Sequence, residues 1–328
     1  MADPATVRVE RLERLDPATA TAVETMAERS AVHDHHSPIG EHTFVRLVGG
    51  GPDTFGLIAR LEAGDKAVGY AQATRFERNG RLPSRIGAEL LVDPAHRGIG
   101  IGRALVERLI DEAREAAVER FDIWAHHADA ASVGLASAYG LRDTRRLWQL
   151  AMRLAAVAPG HRRVASPVGI RLRNFEAGRD DELLVALIRD AFPEHPENAG
   201  FSREDFATRR ALDWFDPSAI LLAEDEASGQ PLGLHWMKLD VTRREGEVYI
   251  LGVTPAAQDR GVGRHLLLEG LEEMRRREID LAYLYVDADN EAALRLYRAA
   301  GFRHEHLDTC YSLDLGCDRP RRAALSRT

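Results

Sequence analysis

The sequence predicts an α/β protein built from two similar domains, and three observations support that prediction. A motif spanning Val92 to Arg103 repeats at Val253 to Arg264, 161 residues further on. The same offset relates Gly140-Leu141 to Gly301-Phe302. Around each copy, short apolar runs typical of strands alternate with longer amphipathic runs typical of helices. A chain of 328 residues is long enough for about two domains, so the repeat and the length agree.

The elements of the second half follow from these periodicities in chain order. The long helix after the repeated motif has the clearest pattern, because Leu266, Leu267, Leu271 and Met274 fall on one face at helical spacing, and Gly270 joins them. Its first-half counterpart begins near Arg103 and has apolar residues at Leu105, Leu109 and Ile110. Taken in order, the predicted segments are strand 170–174, helices 181–192 and 202–212, strands 219–224, 232–238 and 247–253, helix 263–278, strand 281–286, helix 291–300 and strand 309–315.

Turn-forming and charged residues without periodicity mark the boundary between the halves near residue 160. We therefore expect an N-terminal domain over residues 1–157, a linker over 158–168 and a C-terminal domain over 169–315. Residues 316–328 are rich in arginine and aperiodic, which indicates a disordered tail.

Composition argues against several functional classes. The chain has 44 Lys and Arg against 52 Asp and Glu, a formal net charge of -8, which does not favour a nucleic-acid partner. No run of about 18 apolar residues and no signal-like N-terminus occurs, so we expect no membrane association and a cytoplasmic protein. The two cysteines, Cys310 and Cys317, do not form a disulfide framework and suit a reducing compartment. We expect a monomer.

Each copy of the motif places a Gly-x-Gly turn between a buried strand and a helix. The backbone N–H groups of the first helical turn and the helix dipole both point at such a turn, which makes it a site for an anion. Glycine lets the backbone approach a phosphate group without a Cβ in the way. The spacing matches neither the Walker loop nor the Rossmann fingerprint.

The two turns resemble the pyrophosphate-binding loop of the GNAT superfamily of N-acetyltransferases, which bind acetyl-CoA there. The resemblance implies a mixed, mostly antiparallel twisted sheet in each domain, flanked by helices and split near this loop to admit the pantetheine arm. Arg97 also matches the family motif and begins its first-half copy. The matching loop residues are Gly98, Ile99, Gly100, Ile101, Gly102 and Arg103 in the first half and Gln258, Asp259, Arg260, Gly261, Val262, Gly263 and Arg264 in the second.

The halves differ in the residues that chemistry needs. Acetyl transfer to an amine needs a base for the amine proton and an acid for the departing thiolate. Glu247 lies on the strand before the second loop, where strand alternation predicts that it shares a face with Tyr249 and Leu251. The helix that ends in Gly301-Phe302 resembles the GNAT C-terminal signature, in which Tyr297 corresponds to the residue that protonates the CoA sulfur. At the same offset the first half has Ile86 and Ala136, so only the second half is expected to catalyse.

A narrower resemblance covers almost the whole chain. Segments including Trp214-Phe215-Asp216-Pro217, Leu234-His235-Trp236-Met237-Lys238 and Trp124-Ala125-His126 look like the mycothiol synthases, an actinobacterial family of tandem GNAT enzymes. That family acetylates the cysteinyl amine of desacetylmycothiol, a cysteine joined to glucosaminyl-inositol, with acetyl-CoA as the donor and no metal. An α-amine has an ordinary pKa of about 7.7 to 8.0, so a modest carboxylate relay suffices to keep it neutral for attack.

The resemblance also implies roles for individual positions. Glu247 would be the general base and Tyr297 the general acid. Positions expected to contact the amine substrate are Glu41, Glu197, Lys238, Glu247 and Tyr285. Beyond the two loops, positions expected to contact acetyl-CoA are Leu251, Gly252, Val253, Asn290, Glu291, Ala292, Ala293, Leu294 and Arg295 in the second half, and Leu90, Leu91 and Val92 in the first.

Two alternatives stay open at this point: a tandem GNAT enzyme that acts on another amine, such as an aminoglycoside or a peptide N-terminus, and a non-catalytic acyl-CoA-binding protein. Glu247 and Tyr297 argue against the second alternative. The cluster His33, His35 and His36 is not expected of the family, and we interpret it as a solvated loop and not as a metal site. Cys310 is not expected to be a nucleophile, because no acyl-enzyme is needed when both substrates bind together.

Overall fold

The computed structural model describes residues 7–34, 36, 38–40, 53–62, 65–77, 83–154, 167–193 and 200–316. The chain divides into two compact units, which are described one at a time. Unit 1 comprises Met1–Arg146 and Leu307–Thr328, and unit 2 comprises Leu147–His306. Among the described residues, no helix is both long enough and apolar enough to cross a membrane.

Unit 1 is a mixed sheet with helices packed on it. Its elements in chain order are β1 (Val7–Leu12), α1 (Pro17–Asp34), β2 (Thr54–Leu61), β3 (Lys66–Phe76), β4 (Arg85–Val92), α2 (Ile101–Glu115), β5 (Arg120–Ala125) and α3 (Ala130–Ala138). The chain leaves this unit within β6 (Arg142–Arg153) and returns to it within β12 (Arg303–Asp314). The strand order is β1-β2-β3-β4-β5-β12, and only the β4 and β5 pair is parallel.

Unit 2 repeats this arrangement. Its further elements are β7 (Ile170–Asn174), α4 (Asp181–Ala191), α5 (Arg203–Arg210), β8 (Ile220–Asp225), β9 (Pro231–Asp240), β10 (Glu245–Val253), α6 (Val262–Arg276), β11 (Leu281–Asp287) and α7 (Glu291–Ala300). The strand order is β6-β11-β10-β9-β8-β7, again with one parallel pair, β10 with β11. The predicted α/β class with two similar mixed sheets is confirmed.

The last strand of each half belongs to the unit formed mainly by the other half. Residues 309–315, predicted as the final strand of the second domain, pair with β5 of unit 1, from Thr309↔Ala125 to Asp314↔Arg120. Leu147–Arg153 of β6 pairs with β11 of unit 2. Because β5 and β11 are repeats of each other, either can accept an antiparallel neighbour on its open edge, and periodicity does not show which strand it receives. The linker predicted at 158–168 lies mostly outside the described residues, and its bounds stay a prediction.

Buried helix faces hold each sheet in place. The α6 residues predicted to share a face, Leu266, Leu267, Gly270, Leu271 and Met274, are all buried. The first-half residues Leu105, Leu109 and Ile110 of α2 are buried in the same way. Burying a leucine side chain contributes roughly 1.5 to 3 kcal/mol. Each of these helices is thus fixed on its sheet, with its N-terminus at the glycine turn.

The parallel strands separate at different points in the two units. In unit 1, β4 and β5 pair as far as Glu89↔Trp124, and β4 then continues to Val92. In unit 2, β10 and β11 pair only as far as Glu247↔Tyr283, although β10 continues to Val253 and β11 to Asp287. We call these gaps the first-half cleft (Leu90–Val92 and beyond Trp124) and the second-half cleft (Val248–Val253 and Leu284–Asp287). The unpaired stretch is the longer one in the second half.

Candidate active site

The second-half glycine turn has the backbone of an anion site. Gly261 is the N-cap of α6 and adopts the left-handed conformation, with φ of 79°. No side chain caps the helix there, so the N–H groups of its first turn point out of the helix end. An added Cβ on Gly263 would come within 3.3 Å of Val253, so the helix packs closely on the end of β10. This geometry suits the diphosphate of a nucleotide ligand.

Side chains beside this turn are held by local contacts. Asp259 has a positive φ of 61°, which an aspartate tolerates better than most residues. The Arg260 guanidinium lies 3.2 Å from Asp225. Among the other residues predicted here, Gln258 ends the 3-10 turn at Pro255–Ala257, Val262 is buried at the start of α6, and Arg264 follows in its first turn.

The end of β10 leaves no room for larger side chains. An added Cβ on Gly252 would lie 2.8 Å from Ala191 and from Phe192, and one on Gly233 of the neighbouring strand would lie 2.5 Å from the Gly252 carbonyl oxygen. The backbone of Leu251–Val253 is therefore fixed along one wall of the second-half cleft. Close packing therefore requires glycine at position 252. This structural requirement is separate from the predicted contact of Gly252 with the cofactor.

Glu247 is the last residue of β10 that pairs with β11, so it lies where the second-half cleft begins. Its partner across the antiparallel ladder is Lys238 of β9. Directly opposed residues of an antiparallel pair project on the same face of the sheet. The structure thus brings together two of the predicted substrate-contacting residues and puts the candidate base at the closed end of the cleft.

One part of the strand prediction is wrong. A β-bulge between Val248 and Ile250 interrupts the alternation of β10. As a result Tyr249 packs in the cluster around Trp236, whereas Leu251 packs against the clusters on the α6 side. Leu251 does not share the face of Tyr249, because a bulge adds one residue and shifts the pattern of every later side chain.

Tyr297 lies on α7 and is 7% exposed. Its ring contacts Phe302 edge to face, with centroids 5.8 Å apart. Burial raises the pKa of the phenol well above its ordinary value. The hydroxyl therefore carries its proton at neutral pH, and the raised pKa makes it a weaker acid than an exposed phenol. Ala136, the corresponding first-half residue, is buried and has no titratable group.

The first turns of α7 carry the other predicted cofactor positions. The Asn290 side chain caps the helix by accepting a hydrogen bond of 3.1 Å from the Ala293 N–H. Glu291 and Arg295 form an exposed ion pair of 3.3 Å, and Leu294 is buried in the core of unit 2. Ala292 and Ala293 complete this segment, which is the N-terminal part of α7.

The remaining predicted substrate residues have different outcomes. Tyr285 of β11 is 46% exposed, and its hydroxyl accepts a hydrogen bond of 3.1 Å from Gln149. Glu41 and Glu197 lie outside the described residues, so their substrate role stays a prediction.

The first-half loop lines a cavity of about 580 Å³ within unit 1. Gly98 and Gly100 both have positive φ, 79° and 95°, and Gly100 is the N-cap of α2. The cavity walls include most predicted first-half cofactor residues and reach Ala136. Those residues are Leu90, Leu91, Val92, Gly98, Gly100, Ile101, Gly102 and Arg103; Ile99 is 52% exposed beside them.

The arginine beside the first-half loop has a partner within unit 1 that the motif does not reveal. Arg97 donates two hydrogen bonds, of 2.7 and 2.6 Å, to the carboxylate of Asp34 at the end of α1. These bonds lower the pKa of Asp34 to about 2. A diphosphate at the first-half loop would compete with Asp34 for this guanidinium, whereas the second half has Gln258 at the equivalent position.

A charged cluster beside the first-half cleft was also missed. His126 lies between Asp308, 2.8 Å from Nδ1, and Glu89, 3.3 Å from Nε2. Burial alone would lower the pKa of the imidazole, but the two carboxylates outweigh it and raise the pKa to about 10. Glu89 also accepts a 2.7 Å hydrogen bond from the Gly40 N–H. Because Asp308 is 182 residues from His126, no local motif could have shown the cluster.

The interpretation of the histidine cluster as a loop is wrong for His33, which lies in the last turn of α1. His33 contacts Asp34 at 2.8 Å, and the ring of His36 packs edge to face against His127, while His35 lies outside the described residues. Within the described part of the chain, no group of three or more His, Cys, Asp or Glu side chains is placed to hold a metal ion. Cys310 is buried, and burial raises the pKa of its thiol to about 11.

Comparison with known proteins agrees with this geometry. The model of the acetyltransferase (GNAT) family matches residues 22–141 and 184–302. A tandem GNAT protein from the clavulanic acid biosynthesis pathway aligns with a TM-score of 0.74 at 18% identity, over 95% of this chain and 99% of that one. A GCN5-related N-acetyltransferase from Sphaerobacter thermophilus aligns with a TM-score of 0.70 at 23% identity, over 93% and 95%. Fold, loops and family match define a tandem GNAT N-acetyltransferase.

Curated relatives narrow this class. The mycothiol acetyltransferase of Nocardia farcinica is 38% identical over 309 residues, which cover 93% of this chain and 98% of that protein. That of Stackebrandtia nassauensis is 37% identical over 310 residues, with the same two shares of 93% and 98%. The chain belongs to the mycothiol acetyltransferase family.

Proposed function

We propose that this enzyme transfers the acetyl group of acetyl-CoA to the cysteinyl amine of desacetylmycothiol, the last step of mycothiol biosynthesis. Family membership supports acetyl transfer in that pathway. The observation that supports a particular site is the position of Glu247. It is the last paired residue before the second-half cleft, it opposes Lys238, and it belongs to the half that also has Tyr297.

The residues present fit acetyl-CoA in the second half. The uncapped N-terminus of α6 at Gly261 suits the diphosphate, and the separation of β10 from β11 leaves a cleft for an extended arm. With the diphosphate at Gly261, the closed end of the cleft at Glu247 is where the thioester would lie. Leu251–Val253 and the first turns of α7 would flank the arm.

We propose direct attack in a ternary complex. The amine nitrogen forms a bond to the thioester carbonyl carbon, and the carbon–sulfur bond then breaks. The proton lost from the amine passes to Glu247, directly or through water, and the thiolate receives the proton of the Tyr297 hydroxyl. Glu41, Glu197, Lys238 and Tyr285 would hold the substrate, because carboxylates and an ammonium group suit a polar molecule with hydroxyls and an amine.

We propose that unit 1 binds a second acetyl-CoA at Gly98–Arg103 or supports the fold without catalysing. Ala136 stands where a proton donor would be needed, and Glu89, the carboxylate at the start of the first-half cleft, already contacts Gly40 and His126. We also propose that the enzyme is cytoplasmic and monomeric. Size-exclusion chromatography with light scattering would test the oligomeric state.

The substrate is tested by incubating the purified protein with acetyl-CoA and a panel of amines, with acetylated products followed by mass spectrometry. The panel contains desacetylmycothiol, glucosaminyl-inositol without cysteine, an aminoglycoside and a peptide with a free N-terminus. We expect the highest kcat/KM with desacetylmycothiol. A higher value for any other amine would replace it as the substrate and favour the alternative of a GNAT enzyme acting on another acceptor.

A further inference from the structure

Lys238, a predicted substrate-binding residue, contacts an aromatic cluster of unit 2. The proposed reaction assigns no role to that cluster. Its ammonium nitrogen is 5.4 Å from the centroid of the Trp214 ring. A cation over the face of a tryptophan within about 6 Å is attracted by the ring quadrupole, and tryptophan is the strongest partner for it. Trp214 belongs to the segment between α5 and β8, so this contact joins a turn to the strand that opposes Glu247.

The Trp214 ring is itself braced. It meets the Tyr249 ring edge to face at 5.2 Å and the Trp236 ring at 6.1 Å. The Tyr249 hydroxyl accepts a 2.8 Å hydrogen bond from Arg209 of α5. The Tyr249 contact has the edge-to-face geometry that aromatic pairs prefer, the Trp236 contact is tilted, and the contacts together allow the ring few orientations.

The cluster also lies on the relevant face of the sheet. Trp214 and Tyr249 pack in the same apolar cluster, which covers one face of β9 and β10. Val248 and Met237 pack on the opposite face, so Glu247 and Lys238, which neighbour them, project toward Trp214. The Trp214 indole nitrogen is shielded from solvent and finds no acceptor within the described part of the chain, so its ring and not its N–H makes the specific contacts.

We propose that Trp214 is a positioning residue for the amine substrate: its ring holds the Lys238 ammonium on the face of β9 and β10 that carries Glu247. A free lysine side chain has many rotamers and loses conformational entropy when it binds a substrate. Because the aromatic contact already restricts Lys238, less entropy is lost when the substrate binds. This inference rests on the proposed function, since it concerns how the proposed substrate-binding lysine is oriented.

The test is a double-mutant cycle of Trp214→Leu and Lys238→Met in the full-length enzyme, with steady-state kinetics on desacetylmycothiol and acetyl-CoA. We expect Trp214→Leu to raise the KM for the amine about tenfold, which corresponds to about 1.4 kcal/mol, with kcat and the KM for acetyl-CoA changed less than about twofold. Trp214→Phe, which keeps a ring, should recover most of the affinity. The double mutant should be little worse than Lys238→Met alone, because the two residues act together.

Phe215→Leu is the matched control, because Phe215 packs in the same cluster and contacts Trp236, without a cation over its ring in the described contacts. It should leave the KM for the amine unchanged. Trp214→Met replaces Trp214→Leu if the leucine variant does not fold, since methionine fills irregular space well.

Additive effects of Trp214→Leu and Lys238→Met, or an equal rise in KM for Phe215→Leu, would overturn the positioning role and leave the proposed function intact. If the wild-type enzyme does not acetylate desacetylmycothiol, the proposed function fails, and the inference fails with it. Wild-type kinetics therefore separate the two failures before any variant is measured.

Discussion

At the scale of single residues, the proposed chemistry depends on Glu247 and Tyr297. Burial raises the pKa of the Tyr297 phenol, so this side chain carries its proton near neutral pH and does not serve as a base there. Glu247 stands at the closed end of the second-half cleft. Their first-half counterparts, Ile86 and Ala136, are both buried and apolar.

Glu247→Gln and Tyr297→Phe should each lower kcat by about 100-fold or more, because a positioned acid or base contributes about 10² to 10⁴ in rate. Both changes keep the shape of the side chain, so the dissociation constant for acetyl-CoA should stay within about twofold. Stopped-flow turnover and calorimetric titration measure the two quantities. Glu245→Gln on the same strand is the control, and near-wild-type rates in both variants would remove these roles.

The raised pKa of His126 should make the free energy of unfolding depend on pH. Its folded pKa of about 10 lies above the ordinary value of 6.5, so the folded state holds an extra proton between these values. The stabilisation is fully present below about pH 6.5 and is lost as the pH rises through 10. Between about pH 7 and pH 9 the wild type should lose up to about 1.4 kcal/mol per pH unit more than His126→Gln does. Urea unfolding at several pH values checks this, and parallel profiles would contradict it.

At the scale of elements, the two glycine turns are alike in backbone and differ in what surrounds them. Gly100 and Gly261 are both left-handed N-caps without a side-chain cap. The first-half turn adjoins the Arg97 and Asp34 ion pair, and the cavity there ends at Ala136. The second-half turn adjoins the cleft with the longer unpaired stretch, which has Glu247 at its closed end.

Valine at either N-cap should strain its turn similarly, since a β-branched residue rarely adopts a positive φ. Gly261→Val should raise the KM for acetyl-CoA and lower kcat/KM by at least about tenfold, whereas Gly100→Val should leave turnover largely intact. Steady-state kinetics on both variants test this, with thermal unfolding to show that both are folded. An equal loss of turnover in the two variants would indicate that the first-half loop takes part in the reaction.

At the scale of the whole molecule, β12 has a role that its place in the sequence does not suggest. Thr309–Asp314 supplies the antiparallel neighbour of β5, and Tyr311 is buried in the core of unit 1. Asp308 at the start of this segment accepts hydrogen bonds from His126 and from the His127 N–H. Unit 1 therefore needs residues from the end of the chain.

A chain that ends at Phe302 should lose protection of the β4 and β5 amides, because β5 then has an open edge and the core lacks Tyr311. Strands β8 and β9, which have no contact with this segment in their ladders, should stay protected. Hydrogen exchange followed by mass spectrometry measures both regions. A chain that ends at Gly316 keeps β12 and is the control; unchanged exchange in β5 of the shorter chain would refute its structural role.

The sequence by itself determined the repeat, the α/β class and the helix faces. It also determined the asymmetry between the halves, in which Ile86 and Ala136 stand opposite Glu247 and Tyr297. These follow from periodicity and residue type, which are local properties. Only the tertiary structure decided which sheet received β12, where the β10 bulge turned Leu251 away from Tyr249, and how Asp308 reached His126. Each of these depends on which of two similar edges or faces a distant segment meets, and local pattern carries no information about that choice.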